Sequence, residues 1–352
     1  MKPVCQYVSI FTCVVAFSYS QLAFAEQSLD RVDNESLKQS LAPSDKEKSE
    51  SANASDIFSN TEDRYSLLQK GQFTSTIDAT YSYFESDPSV TLVLIENFRF
   101  LDVSADSERV ISTTLGFDLG VSNNISVGFS LPFTAKYNEQ QDLSVVGLGD
   151  VQASVRWQPR PTVGGEVTTL YFLSVSAPTG QSPYEITVGE ELSTGQGFPS
   201  ISFGSTFFKV FDPLIGYGSL SYTHNPVTDG FDQQRIFVTD EVNRLGTLRE
   251  IQPGDSVSAV VGLSYAITYD FTLTLQYQHT IGGRTSLIWE DLSNTGSIIE
   301  NETRSATFDS GVARITTSWK GDDGNFFNLN FSLPVTEGLP DVIIGISMPL
   351  FP

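Results

Sequence analysis

The sequence predicts an all-β protein, a closed antiparallel transmembrane β-barrel of about 12 strands (10–14) with short periplasmic turns and long extracellular loops. Three observations support this fold class. Apolar residues recur with a period of two, the chain begins with an export-like segment, and short and long connections alternate along it.

Apolar residues occupy every second position in many segments. Between Ile125 and Tyr137 each odd position is apolar and each even position is small or polar. The same alternation returns in later segments, at 151–157, 256–267, 271–279 and 326–335. This pattern is typical of half-buried antiparallel strands. It fits a soluble sandwich with the apolar face inside as well as a barrel whose apolar face meets lipid.

The first 25 residues favour the barrel. Lys2 precedes an uncharged run from Val8 to Phe17, and Ala23-Phe24-Ala25 has the small-x-small pattern of a cleavage site. We therefore expect 1–25 to be a cleaved signal peptide rather than a retained helix, which would need about 20 apolar residues. Both cysteines lie inside this segment, so the mature chain has no disulfide framework. No later stretch is long and apolar enough for a membrane helix, so any spanning has to be by strands.

The next segment, 26–70, is rich in Ser, Asp, Glu and Lys and nearly free of aromatic residues. This composition predicts an acidic, disordered periplasmic segment. Apolar residues between Leu29 and Leu41 have a loosely helical spacing, which leaves a short coiled coil or a plug as the alternative. Pro43 would end such a helix.

From Phe73 onward, residues 71–352 form the predicted barrel, with thirteen strand-like segments: 73–84, 90–101, 108–121, 125–137, 150–158, 166–177, 198–210, 214–224, 255–268, 271–280, 306–320, 325–335 and 341–351. Bacterial single-chain barrels have an even number of strands. The weakest segment is 90–101, because Glu96 falls on its otherwise apolar face. We therefore predict that about twelve strands span the membrane.

The connections alternate in length. Tight turns are expected at 122–124, 212–213, 269–270 and 321–324, with a slightly longer one at 159–165. Longer polar links lie between them at 178–197, 225–254 and 281–305, with shorter ones at 138–149 and 336–340. Short turns on one side and long loops on the other are typical of outer-membrane barrels, with the short turns toward the periplasm.

Aromatic residues fall at two levels when the last strand runs toward the periplasm. Trp157, Phe271, Trp319 and Phe327 lie at the periplasmic strand ends, and Tyr137 and Tyr277 at the outer ends. Such girdles mark the two membrane interfaces. The alternative is that aromatic residues are simply common in strands.

Polar residues of the same strands are expected to face the barrel interior. The predicted lumen residues are Asp118, Asp150, Gln152, Arg156, Gln276, Gln278, Arg314, Asn328 and Asn330. The charged ones either set the selectivity of a narrow lumen or fill it as an internal salt-bridge network.

The last segment alternates from Val342 to Leu350 and places Phe351 next to the C-terminal Pro352. A near-terminal aromatic residue on such a strand resembles the assembly signal of outer-membrane proteins, although here it is penultimate. The implied partners are the barrel-assembly machinery, periplasmic chaperones and outer-membrane lipid, in a Gram-negative bacterium.

Composition and motifs argue against other functional classes. A formal charge of −22 with only 20 Lys and Arg residues excludes nucleic-acid binding by phosphate neutralisation. The two histidines, His224 and His279, lack a Ser two positions later, so the His-Ser pattern of barrel phospholipases is missing. A protease using aspartates of the 225–255 region is left as an alternative to the expected non-enzyme. No pattern predicts a metal site or a cofactor.

Four motifs resemble one family. They are the strand that contains SLPF (130–133), the GLGD turn (147–150), the APTG element (177–180) and the TGQG segment (194–197). Together with their surroundings they are similar to the outer-membrane barrel family associated with the meta-pathway of phenol degradation, whose members are labelled transporters. The resemblance covers about half of the mature chain and implies a barrel channel, with aromatic compounds as an implied solute class.

These observations predict an outer-membrane channel or transporter for a small solute. Two alternatives stay open. One is an export or assembly pore for a secreted polypeptide such as a functional-amyloid subunit, gated by 26–70, and the other is a closed structural or adhesion barrel that acts through its loops. The sequence indicates neither the identity of the solute nor an oligomeric state.

Overall fold

The chain is described by a computed structural model for residues 67–350, apart from gaps at 86–88, 96–97, 105–106, 163–164, 188–189, 212, 233, 240–241, 269, 293–297, 322–325 and 337–339. The predicted signal peptide, most of the 26–70 segment and Phe351 lie outside these residues. No helix long and apolar enough to cross a membrane occurs in the described part of the chain.

Within it are twenty strands: β1 (Phe73–Glu85), β2 (Ser89–Ile95), β3 (Phe98–Ser104), β4 (Ser107–Ser122), β5 (Ile125–Asn138), β6 (Leu143–Leu148), β7 (Val151–Trp157), β8 (Thr168–Ala177), β9 (Ser200–Phe211), β10 (Leu214–His224), β11 (Thr228–Asp229), β12 (Gln234–Thr239), β13 (Val242–Gln252), β14 (Ser256–Thr268), β15 (Phe271–Gly282), β16 (Ser286–Leu292), β17 (Ile298–Arg304), β18 (Phe308–Lys320), β19 (Phe326–Pro334) and β20 (Val342–Pro349).

Twelve wall strands close into an antiparallel barrel. Their order around the ring is β1, β4, β5, β6 with β7, β8, β9, β10, β14, β15, β18, β19 and β20, and β20 pairs again with β1. β6 and β7 count as one wall strand because both pair with β5, at Phe133–Asn138 and Ile125–Ser130 respectively. The prediction of a closed barrel of about twelve strands is confirmed.

One of the thirteen predicted segments, 90–101, is not a wall strand. It divides into β2 and β3, which pair only with each other as a separate hairpin. Ile95 pairs with Phe98, so the chain reverses in the middle of the segment. Glu96, the residue that weakened the strand assignment, lies in a gap of the described chain.

Side chains alternate between the two faces of the wall. On the outward face stand large apolar side chains that are exposed in the isolated chain, such as Leu275, which is 50% exposed, and Ile346. On the inward face stand mostly small hydroxyl residues, such as Ser264 and Ser332, both 1% exposed. An apolar belt around the whole outer wall is far larger than the patches tolerated in water. The outer face of the barrel is therefore the lipid-facing one.

The connections divide between the two ends of the barrel. At one end, called here the short-turn end, lie the links 123–124, 158–167, 212–213, 269–270 and 321–325. At the other, the long-loop end, lie the links 86–106, 139–142, 178–199, 225–255, 283–307 and 335–341. The predicted alternation of short and long connections is confirmed.

Two of the long links contain strands that form a second sheet. These segments were predicted from the sequence as polar links without strands. β13 pairs with β11, β12 and β16, and β16 pairs with β17, which makes a five-stranded sheet called here the cap sheet. Phe231, Leu248, Ile251 and Trp289 form its buried core. Tyr184 of the β8–β9 link packs against the same cluster, so three long links meet in one small core at the long-loop end.

The wall strand made of β6 and β7 is interrupted at Gly149-Asp150. Even-numbered residues of β7 face inward with those of β5, as in the pair Gln152 and Ser130. In β6 the odd-numbered residues share that face, as in the pair Gly147 and Thr134. The break therefore reverses which side chains face the lumen, in the manner of a β-bulge.

Candidate functional site

The lumen is the candidate functional site, because its wall concentrates the polar side chains that the outer face lacks. Much of the inner wall consists of buried serine and threonine, including Ser126, Ser174, Thr206, Thr274, Thr316 and Ser347. These side chains are short and leave room for a lumen. The longer polar residues therefore decide what the lumen can bind.

Two predicted lumen charges form an ion pair. Asp118 on β4 and Arg156 on β7 lie on the same inward face, and their carboxylate and guanidinium are 3.2 Å apart. A second inner-wall pair, which the sequence analysis missed, joins Glu108 and Lys136 at 3.9 Å. Both pairs are partly exposed, so each stabilises the wall only modestly. This arrangement supports the filler interpretation for Asp118 and Arg156.

Asp150, also predicted to line the lumen, binds backbone instead of another charge. Its carboxylate accepts hydrogen bonds from the backbone N–H of Gly180 at 3.0 Å and of Gln196 at 2.6 Å. Thr194 of the same link donates its hydroxyl to the carbonyl of Leu148 at 2.7 Å. Asp150 thus holds the two ends of the β8–β9 link against the interrupted wall strand.

That link lies on the inner side of the wall. A methyl group added to inward-facing Gly147 would be 3.2 Å from Cγ2 of Thr194. The GLGD and TGQG motifs are therefore in contact, although they are far apart in the sequence. The APTG element joins the same contact, because backbone of Gly180 packs on backbone of Gly195 in TGQG and leaves no room for a side chain at either position.

Gln276 and Gln278 lie on β15 on the same face as the buried Thr272 and Thr274. The Oε1 atom of Gln276 accepts a hydrogen bond from the Tyr217 hydroxyl at 3.0 Å. Nε2 of Gln278 is 3.4 Å from the Ser258 hydroxyl. Tyr217 reaches across β14 because Gly262 lies between the two strands and leaves room for the tyrosine ring.

Arg314 and Asn330 face the lumen on the two following strands. Nε of Arg314 donates to the Ser332 hydroxyl at 3.0 Å, and the Thr316 hydroxyl donates to Oδ1 of Asn330 at 2.7 Å. No carboxylate lies within 4.0 Å of Arg314 in the described part of the chain. Gln152 and Asn328 share the inward face, paired with Ser130 and Ser318.

The inner wall is not uniformly polar. Leu170, Phe208, Ile215 and Tyr217 face inward from β8, β9 and β10 and are 2–5% exposed. Their inward orientation could not be predicted from the sequence, because β9 is apolar on both faces around Phe207 and Phe208. The cross-strand pairs show which of the two faces inward, since Phe208 pairs with Tyr217.

The predicted interface aromatics lie at the ends of the barrel. At the short-turn end Trp157 stacks on Tyr171, with ring centroids 5.6 Å apart, and Phe271 meets Trp319 edge to face at 6.2 Å. Phe327 pairs with Trp319 there. Tyr137 and Tyr277 face outward toward the long-loop end. These positions are those expected of two girdles, and their role at the interfaces stays a prediction.

Both histidines stand near the long-loop end on outward-facing positions, each beside a carboxylate. Nδ1 of His224 is 3.0 Å from Asp255, and Nε2 of His279 is 3.2 Å from Asp309. Asp255 also accepts hydrogen bonds from the Tyr222 hydroxyl and the Asn225 backbone N–H. Burial alone would raise the pKa of Asp255, but these donors and His224 together lower it below its usual range.

The clusters contain no serine or threonine nucleophile bonded to a histidine, so they do not form a hydrolytic triad. No group of three His, Cys, Asp or Glu residues that could hold a metal occurs among the residues described. The chemistry that the lumen offers is hydrogen bonding and charge, which suits binding and passage of a solute.

The fold has a match among known structures. The chain is similar to an outer-membrane channel from Pseudomonas putida F1, with a TM-score of 0.54 at 13% identity over 80% of this chain and 96% of that one. A mutant of the TodX monoaromatic hydrocarbon channel has a TM-score of 0.47 at 8% identity, over 80% and 91% of the two chains. The NalP translocator domain from Neisseria meningitidis has a TM-score of 0.43 at 11% identity, over 86% and 97%.

At these identities the first similarity shows a shared barrel fold, and we base nothing further on the other two. No family model matches the chain. The resemblance to the barrels associated with phenol degradation therefore stays a prediction.

Proposed function

We propose that the protein is an outer-membrane channel that passes small solutes through its lumen. The observation that carries the proposal is the separation of chemistry across one closed wall, with an apolar belt outside and hydroxyl, amide and charged groups inside. The inner wall of a membrane barrel is polar when the interior holds water, solutes or polar protein groups. Twelve strands lie between the filled eight-stranded barrels and the open porins, which favours a narrow lumen.

The similarity to the Pseudomonas putida channel supports this proposal at the level of fold. The resemblance of the SLPF, GLGD, APTG and TGQG motifs adds hydrophobic or aromatic compounds as a solute class to test. The alternative of a polypeptide-export pore depends on 26–70, which lies mostly outside the described residues. The loop-based adhesion alternative is separated from a channel by the experiment that follows.

Permeability of the purified full chain in liposomes tests the proposal. We expect liposomes that contain the folded protein to swell in solutions of small neutral solutes, and planar bilayers to show discrete conductance steps. Liposomes with heat-denatured protein are the control. A protein that is folded, as judged by different gel mobility before and after boiling, but gives neither swelling nor conductance would be a closed barrel and would refute the proposal.

The proposed orientation places the long-loop end outside the cell. Single cysteines can report it, because the natural cysteines lie within the predicted signal peptide. We expect Ala306→Cys, at the long-loop end, to react with an impermeant maleimide on intact cells, and Glu166→Cys, at the short-turn end, to react only after the outer membrane is disrupted. Both positions are exposed. The reverse labelling pattern would show that the short-turn end, and not the long-loop end, lies outside the cell.

A further inference from the structure

Most charges on the inner wall are neutralised by the protein itself. Asp118 pairs with Arg156 and Glu108 with Lys136, and Asp150 is held by backbone N–H groups. Arg314 differs, because its described hydrogen bond uses only Nε and its partner is the neutral hydroxyl of Ser332. Its two terminal nitrogens have no acceptor among the described residues. Asp78, an inward-facing acid outside any described ion pair, lies on β1, three strands away around the ring.

The amides beside Arg314 are oriented so that they present donors. Gln276 pairs directly with Arg314 across the β15–β18 ladder, and Asn330 lies next to it on β19. In each amide the oxygen already accepts a hydroxyl hydrogen bond, from Tyr217 to Gln276 and from Thr316 to Asn330. The NH2 group of each amide is left to donate. Three neighbouring strands therefore present uncompensated N–H donors, and one full positive charge, to the lumen.

Aliphatic side chains border these donors. Val312 lies two residues before Arg314 on the same face of β18, Val260 pairs with Gln278, and Ile343 pairs with Ser332. All three are partly exposed in the lumen. A ligand that touches the donors would thus have apolar surface beside it.

This combination selects one class of ligand. The groups left without a partner on Arg314, Gln276 and Asn330 are N–H donors, so a ligand has to supply acceptors to satisfy them, and a single uncompensated guanidinium matches one negative charge. A planar carboxylate accepts two parallel hydrogen bonds from a guanidinium. A sugar would require acceptors from the protein for its hydroxyl hydrogens, and a dianion would leave one charge unmatched in the lumen.

We infer that the Gln276, Arg314 and Asn330 cluster is a binding site for small monocarboxylates with an apolar body. This inference deepens the proposed function, on which it rests, by naming a solute class. The carboxylate would occupy the donors, and the apolar body would lie against Val260, Val312 and Ile343.

Equilibrium dialysis of hexanoate against the detergent-solubilised full chain tests the site, with empty micelles as the blank. We expect wild-type protein to bind hexanoate more tightly than acetate, which has the same head group without the apolar body. Arg314→Gln should weaken hexanoate binding about tenfold or more, since it removes a charge-assisted bidentate interaction. Arg314→Lys should keep part of the affinity. Binding of 1-hexanol, which has no charge, should not depend on Arg314.

Arg156→Gln is the matched control for Arg314→Gln, because it makes the same substitution at an arginine that is already paired with a carboxylate, that of Asp118. Gln276→Leu is a second variant that removes a neighbouring donor without changing the charge. Each variant is first shown to be folded by its mobility before and after boiling. Equal hexanoate binding by wild type, Arg314→Gln and Gln276→Leu, or no binding above the micelle blank, would overturn the site. If hexanoate binding depends on Arg314 but the protein conducts nothing, the proposed channel function would be refuted and the proposed binding site would be supported.

Discussion

At the scale of single residues, glycines on the inner wall decide where aromatic rings lie. The rings of Tyr217 and Phe172 lie over Gly262 and Gly204 on adjacent strands, because a methyl group at either glycine would collide with the ring. Each ring therefore lies against the strand that carries the glycine. This position allows the Tyr217 hydroxyl to reach Gln276 on the strand beyond.

Gly262→Ala should displace the Tyr217 ring and break its hydrogen bond to Gln276. Overpacking of this kind typically costs about 1–3 kcal/mol, so we expect the urea midpoint of unfolding to fall. Gly218→Ala is the control, because the atom nearest to its added methyl group would be 3.5 Å away. Equal stability of the two variants would show that the Tyr217 side chain can adopt another conformation without loss of stability.

Asp150 offers a second test at this scale. Asp150→Ala removes the acceptor of the Gly180 and Gln196 backbone N–H groups, so the β8–β9 link should open more often. We expect chymotrypsin to cleave after Tyr184 several-fold faster, measured from fragment masses. Glu190→Gln, an exposed change in the same link, should leave the rate unchanged. An unaltered rate in Asp150→Ala would contradict an anchoring role.

Strand parity assigns residues to the two faces of a strand but does not indicate what they bind. Asp118 and Arg156 were expected in the lumen, yet nothing in a local pattern says that strands β4 and β7 bring them to 3.2 Å. His224 was assigned to a strand end, whereas its partner Asp255 follows a loop of about thirty residues. Such pairs depend on strand order and register, which a period-two pattern does not specify.

At the scale of elements, the cap sheet is a separate unit of the same chain. Its strands form no ladder with the wall strands, and its core of Phe231, Leu248, Ile251 and Trp289 is built from long links alone. The bases of the two links that contain it are joined by a hydrogen bond from the Gly283 N–H to the Asp255 carbonyl at 2.7 Å. The cap can therefore lose stability without opening the wall.

Trp289→Ala should show this independence. Trp289 is buried and donates its indole N–H to Thr303 at 2.9 Å, so its loss should destabilise the cap by about 3–5 kcal/mol. We expect faster proteolysis at 225–255, with the boiling-dependent gel shift of the barrel retained. Trp289→Phe should behave closer to wild type. Loss of the gel shift in Trp289→Ala would mean that cap and wall unfold together.

The cap strands were missed for a physical reason. The links that contain them are rich in charged residues, as in Arg244, Arg249 and Glu250 of β13, and only a few residues of the sheet contact its small core. Charged residues at such positions interrupt the alternation of apolar and polar residues by which the wall strands were recognised. The assignment of 138–149 to a polar link was wrong, because Leu143–Leu148 forms β6; its inward residues are odd-numbered and those of β7 even-numbered, so the two segments do not read as one alternating strand.

At the scale of the whole molecule, the outer belt determines where the barrel is stable. Apolar residues cover the outward face of the wall strands between the two aromatic levels, and such a surface requires lipid or detergent. The belt could be predicted from sequence because lipid requires one apolar side chain at every second position. The number of wall strands followed from the rule that bacterial barrels have even numbers.

Arginine substitutions on β15 measure the position of the membrane. Leu275 lies in the middle of the strand on the outward face, and Ile281 lies near its long-loop end. Leu275→Arg should cost about 2–4 kcal/mol of folding free energy in lipid vesicles, and Ile281→Arg only about 0–1 kcal/mol. Urea titrations in liposomes give both values. Equal costs would place the hydrocarbon core elsewhere on the wall.

The seam between β1 and β20 has a kinetic consequence. Every other pairing around the ring joins two wall strands with no other wall strand between them along the chain, whereas this one joins Thr76 to Pro349. Bringing such distant segments together costs the most chain entropy, so we expect the ring to be sealed last. Until then both seam strands have unpaired edges, and a newly made chain needs protection from aggregation for as long as the circle stays incomplete.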